Sequence, residues 1–181
     1  MPPRAVVVGP PGSGKTTVGR LLADHLGVAF RDTDDDVVRL AGKPIPDIFT
    51  TDGEPAFRAL EEQAVATALD EHPGVLSLGG GAVISERTRK LLAEHPVVFL
   101  TVGLAEGARR TGLAQTSRPL LAGVNPRATF KALLDARLPL YREAADVEQP
   151  TDGLEPWRLA ELVAGKLAEI RPGGTNPAAE A

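Results

Sequence analysis

The run Ala5-Val6-Val7-Val8-Gly9-Pro10-Pro11-Gly12-Ser13-Gly14-Lys15-Thr16-Thr17-Val18 decides how this chain folds. Its apolar opening reads as a buried strand. Beyond it, Val18, Leu21, Leu22 and Leu26 recur at helical spacing, forming a face that Gly27 can terminate. Between strand and helix, residues 9–16 match G-x-x-x-x-G-K-[ST]. In that setting the pattern is a phosphate cradle. Consecutive backbone N–H groups turn inward, which requires glycines at unusual dihedrals and a helix N-terminus aimed at the charge. Pro10 and Pro11 have no N–H, so the donors run from Gly12 through Ser13, Gly14, Lys15 and Thr16 to Thr17. Lys15 is expected to bridge β- and γ-phosphates, and the Thr16 hydroxyl to bind Mg²⁺. The motif by itself says only that a nucleoside triphosphate binds; kinase, switch and motor component stay open.

Outward from this run, Val-rich stretches alternate with longer helical ones, which predicts an α/β fold with strands and helices repeated around a parallel sheet. Strands are expected at Arg4–Val8, Val28–Arg31, Val75–Leu78, Val97–Thr101 and, weakly, Ala145–Glu148. The last helix buries Leu159, Leu162, Val163, Leu167 and Ile170. Periodicity then ends at Arg171-Pro172-Gly173-Gly174, which gives one domain over residues 1–171 and a flexible tail over 172–181. Two stretches exceed a minimal alternation, Asp32 to Leu69 and the glycine-bounded loop from Gly112 to Gly123, and such insertions commonly carry function. His25, His72 and His95 fall at expected helix C-termini, where a partly charged imidazole suits the dipole.

Composition narrows the partners. With 43% apolar and 24% charged residues among 181, the chain can bury a core. A net charge of −4 without a polybasic run excludes a broad footprint for nucleic acid or anionic membrane, so the partner is expected to be a small molecule. There are no cysteines, hence no disulfides, thiolate catalysis or Cys-based metal sites. No apolar run nears the roughly 18 residues of a membrane helix, and no signal peptide opens the chain; a cytoplasmic location is expected. Without a large apolar surface stripe, a monomer is expected.

Asp32-Thr33-Asp34-Asp35-Asp36 follows the second strand. If the backbone is still extended there, a period of two sends Asp32 and Asp34 to one face, toward the phosphate loop. One carboxylate could then hold the water shell of Mg²⁺ while the other takes a proton from an attacking hydroxyl. A helix first turn enriched in acids is the alternative, and it accounts for Asp35 and Asp36. For Arg58, Glu54 and Glu62 at i−4 and i+4 suggest an exposed ion-pair ladder, while Glu61 at i+3 can orient the guanidinium inward; spacing does not choose. Gly79-Gly80-Gly81 closes an apolar strand and lets a small ligand approach the backbone.

These motifs in order, with Phe57-Arg58, Arg118-Pro119-Leu120-Leu121 and Arg137 before Pro139-Leu140-Tyr141, resemble the shikimate kinases. Those are small P-loop enzymes that phosphorylate the 3-hydroxyl of shikimate with ATP. The resemblance spans roughly residues 4–170. It implies a nucleoside-monophosphate-kinase-like fold with strand order 2-3-1-4-5, a substrate-binding region near residues 33–61 and a lid near 112–124. It also implies that Arg58 and Arg137 clamp the shikimate carboxylate, while Asp34 and the backbone of Gly80 and Gly81 hold hydroxyls. Asp34 would be the base. Lys15 and the cis arginine Arg118 would offset charge on the transferring group, and Arg110 would stack on adenine with Pro156 on the far side. Because Ser77 stands where many P-loop enzymes place an acid, metal coordination falls to Asp32 with Thr16. Gln149-Pro150-Thr151-Asp152-Gly153 lacks the basic residue the family often carries there. A gluconate or nucleoside kinase is the nearest competing reading, and a nucleotide-binding switch the more distant one.

Overall fold

The computed structural model describes residues 1–112 and 125–170. In chain order the elements are β1 (Ala5–Val8), α1 (Lys15–Leu26), β2 (Phe30–Asp32), α2 (Thr33–Ala41), α3 (Ile45–Thr51), α4 (Glu54–Glu71) and β3 (Val75–Ser77). A short 3-10 turn at Ala82–Ile84 leads to α5 (Glu86–Leu92), β4 (Val97–Thr101), α6 (Leu104–Gly112), α7 (Pro126–Ala144), β5 (Val147–Pro150) and α8 (Pro156–Glu169). The sheet is parallel, with order β2-β3-β1-β4-β5.

Alternation along β1 explains the layering. Ala5 and Val7 face α1 and α8, packing with Leu22, Leu159 and Val163. Val6 and Val8 face the opposite layer, where Val65 of α4, Leu92 of α5 and Tyr141 of α7 meet them. Because both faces are covered, the strand reads as a continuous apolar run. A separate small core of Val37, Ile48, Phe57 and Ala64 joins α2, α3 and α4, with Phe49 and Phe57 rings 4.7 Å apart. That satellite core supports the wall opposite the phosphate loop. No helix among the described residues is long and apolar enough to cross a membrane.

Two strands lie further along the chain than expected. The second begins at Phe30, not Val28, because Gly27 adopts φ +66° and closes α1 with paired bonds, Gly27 N–H to Asp24 O and Val28 N–H to Ala23 O. Val28 is thus still part of the helix cap. The fifth strand is Val147–Pro150, not Ala145–Glu148. Residue 146 is committed to a corner instead: Asp146 N–H donates to Val97 O, and its carboxylate accepts from Val97 N–H at 2.9 Å.

The histidine expectation also needs correction at one position. His25 does lie in the last turn of α1, and His72 caps α4 with its Nε2 3.2 Å from Ala29 O. At His95, just beyond α5, burial lowers the imidazole pKa, which works against the charge that a dipole partner would carry.

Candidate active site

Gly12 and Gly14 hold φ values of +79° and +84°, so glycine is required where the loop turns its amides inward. Gly14 then caps α1, whose first residue is Lys15. The Lys15 ammonium donates to Pro10 O at 3.1 Å, folding back along the loop toward the cavity it lines.

Across from the loop, the extended backbone envisaged for Asp32 to Asp34 is not what forms. Asp32 is the last residue of β2 and also the N-cap of α2, with Oδ1 accepting from Asp34 N–H at 3.0 Å. Such a cap is worth ~1 kcal/mol. Asp34 therefore sits in the first helical turn, yet both carboxylates still reach the cavity. Thr33 points the other way, fully buried, its hydroxyl donating to Ser77 O at 3.3 Å. Asp36, expected only to complement the helix dipole, is buried as well and paired with Arg31 at 2.8 Å and Arg39 at 2.6 Å. The Thr16 hydroxyl donates to Asp32 Oδ2 at 2.9 Å, which joins the two residues expected to serve a metal. Among the described residues no group of three or more His, Cys, Asp or Glu could enclose a metal by itself.

Burial pushes the Asp34 carboxyl up to about 6, and the neighbouring charges of Asp32 and Glu61 add to the shift. Burial also raises Glu61, against the pull of Arg58. Arg58 resolves its open choice of partner: Nη1 donates to Glu61 at 2.7 Å, and Glu54 is more distant at 3.4 Å. Glu62 turns away to Ser85 and Arg87. Arg137 is buried, only 7% exposed, on α7, which continues past Pro139 to Ala144.

The triple glycine lies under these charges. A Cβ at Gly79 would sit 2.7 Å from a Glu61 oxygen and 2.8 Å from Asp34 Oδ1, and one at Gly81 would sit 2.7 Å from Arg58 Cζ. Side chains here would displace the carboxylates and the guanidinium. Bare backbone leaves these side-chain ends where they are.

One cavity of about 800 Å³ joins these groups. Gly12, Ser13, Gly14, Lys15, Thr16, Thr17, Asp32, Asp34, Arg58, Gly80, Gly81, Arg110, Arg137 and Pro156 all line it. Arg118 lies outside the described residues. Arg110 is tethered within the site, donating to Glu106 at 2.7 Å and to Gly12 O at 3.0 Å, while the pair with Arg109 and Arg110 holds the Glu106 carboxyl down near 2. Sequence reasoning missed the apolar wall of Ile45, Phe49 and Leu133 and the role of Glu106. It also gave Tyr141 no task, although its i+4 spacing from Arg137 placed both on one helix face.

A phosphate loop at the carboxyl end of a parallel sheet faces a basic carboxylate and two arginines across one chamber, which defines a small-molecule phosphotransferase of the P-loop class. Comparison with known proteins narrows the class. The family model for shikimate kinase matches residues 11–169, and the chain belongs to the shikimate kinase family. A shikimate kinase of Saccharopolyspora erythraea is 75% identical over 96% of this chain and 99% of its own, and one of Salinispora arenicola is 58% identical over 93% and 99%. Among solved structures, a shikimate kinase from Acinetobacter baumannii in complex with shikimate superposes with a TM-score of 0.86 at 37% identity, covering 90% of each chain.

Proposed function

We propose that this chain moves the γ-phosphoryl group of ATP to the 3-hydroxyl of shikimate, releasing ADP and shikimate 3-phosphate. Asp34 carries the reading. A carboxyl near 6 is ionised at neutral pH yet basic enough to take the hydroxyl proton as oxygen attacks phosphorus, and it lies in the chamber the phosphate loop opens into. Arg58, oriented by Glu61, and Arg137 clamp the acceptor's carboxylate; Asp34 and the Gly80 and Gly81 backbone hold its hydroxyls. The amides of Gly12, Ser13, Gly14, Lys15, Thr16 and Thr17 cradle the phosphates, with Arg110 and Pro156 flanking adenine.

The Thr16 hydroxyl and Asp32, already hydrogen-bonded, suit Mg²⁺, which takes few protein ligands and keeps waters and phosphate oxygens; bound there it would neutralise phosphate charge. Lys15 meets charge on the transferring phosphoryl group, and Arg118 is assigned the same task. The chain acts as a monomer in this reading, since among the described residues the exposed large apolar side chains fall in small groups on different segments, Val38 and Leu40 on α2, Ile84 alone, and Leu154 near Trp157.

A coupled ADP-release assay against shikimate, gluconate and nucleoside monophosphates tests the substrate. Shikimate should turn over fastest; faster turnover on gluconate would replace it as acceptor. ATP binding without shikimate-dependent ADP release would instead make the chain a nucleotide switch.

A further inference from the structure

Three consecutive glycines impose almost no conformational preference of their own, so the direction in which Gly79-Gly80-Gly81 presents its amides must be imposed from outside. The following turn holds the two flanking carbonyls, Gly79 O accepting from Ala82 N–H and Gly81 O from Ile84 N–H, each at 3.1 Å, and the middle carbonyl has a separate anchor. The Tyr141 hydroxyl, on α7, donates to the Gly80 carbonyl. In a planar trans peptide, holding that oxygen aims the Gly81 N–H the opposite way. Arg137 lies one turn earlier on the same helix, close enough that its charge works against the rise in the phenol's pKa. The tyrosine ring is itself held: it is fully buried and stacks on Phe99 of β4, centroids 4.9 Å apart and planes 22° from parallel.

We propose that Tyr141 is a positioning residue for the acceptor, a single hydroxyl that sets the Gly80–Gly81 peptide one helical turn from the Arg137 guanidinium. It touches no reacting atom. Burial pushes the phenol up to about 12, so it remains a donor at neutral pH. The peptide it holds belongs to the acceptor end of the cavity, and the nucleotide end has its own separate tethers at Lys15 and Arg110. Loss of the hydroxyl should therefore be felt by one substrate only. The inference rests on the shikimate reading above.

The test begins with shikimate-dependent ADP release by the unmodified chain; its absence would remove the shikimate reading itself. With that activity present, Tyr141→Phe keeps the ring and its stack and removes one oxygen. The shikimate KM should rise about tenfold, the loss expected for one buried hydrogen-bonding group, while the ATP KM stays within about twofold. Val163→Ala, in the core layer on the other face of the sheet, gives the reverse control: it loosens packing away from Tyr141, so the melting temperature should fall with the shikimate KM unchanged. An unchanged shikimate KM in Tyr141→Phe would overturn the proposal, as would equal rises in both KM values. So would failure of Tyr141→Phe to fold, or a rise in the shikimate KM of Val163→Ala matching that of Tyr141→Phe, because either would make the contribution purely structural.

Discussion

The two ends of the cavity are built from different materials. At the nucleotide end, consecutive residues Gly12 to Thr17 line the cavity, and their backbone amides do not titrate at physiological pH. At the acceptor end the groups are side chains from distant segments: Asp34 on α2, Arg58 and Glu61 on α4, Arg137 on α7, with the triple glycine below them. The contrast teaches where specificity resides. Backbone donors suit phosphate, a feature shared by all nucleotides, while in the proposed reading side-chain charges that the tertiary fold brings together select the acceptor.

If that division holds, changes at the acceptor end should leave nucleotide binding intact. The largest expected effect is Asp34→Asn, which should lower kcat by ~10²–10⁴, the usual worth of a general base, with the ATP KM nearly constant. Near-normal turnover in steady-state assays would remove Asp34 as the base. Arg118→Ala should follow, slowing the chemical step by ~10²–10³ and weakening substrate binding much less. Single-turnover measurements separate the two, and the opposite pattern would make it a binding residue only. Arg58→Ala or Arg137→Ala should raise the shikimate KM by one to two decades, ~1.5–3 kcal/mol for a charge-assisted pair. A variant with unaltered shikimate KM would place its arginine outside the clamp.

The subtlest prediction concerns pH. The folded-state pKa of Asp34, about 6, is raised above its ordinary value of 3.8, so between these values the native state binds more protons than the unfolded chain. Stability contributed by this site is therefore present at low pH and is lost as pH rises through about 6. Asp34→Asn should melt higher than the parent chain at neutral pH, and the gap should close in acid; a pH-independent gap would argue against a buried ionised carboxylate. Activity should move the opposite way, falling below about pH 6 as the base is protonated.

Much of this site was legible before folding was considered. The phosphate loop is local: its spacing, flanking strand and helix all lie within one continuous run, and the glycine dihedrals follow from the motif. Asp32 and Asp34 were legible in identity but not in geometry, since the same two residues reach the cavity as N-cap and first-turn helix positions instead of alternating on a strand. Arg58 marks the limit more sharply. Three glutamates stood at helical spacing, and the choice fell to Glu61 because Glu62 is engaged by Ser85 and Arg87, some 25 residues away in sequence.

What the sequence determined by itself is whatever depends on neighbours along the chain: the parallel α/β pattern, the phosphate cradle, and the presence of acids and arginines suited to an acidic alcohol. Only the tertiary structure decided the ionisation of Asp34, the partner of Arg58, and the anchoring of Gly80 by Tyr141, 61 residues away. The reason is physical. Desolvation and Coulomb interaction depend on distances in space, and a strand-helix pattern leaves those distances undefined until the layers pack.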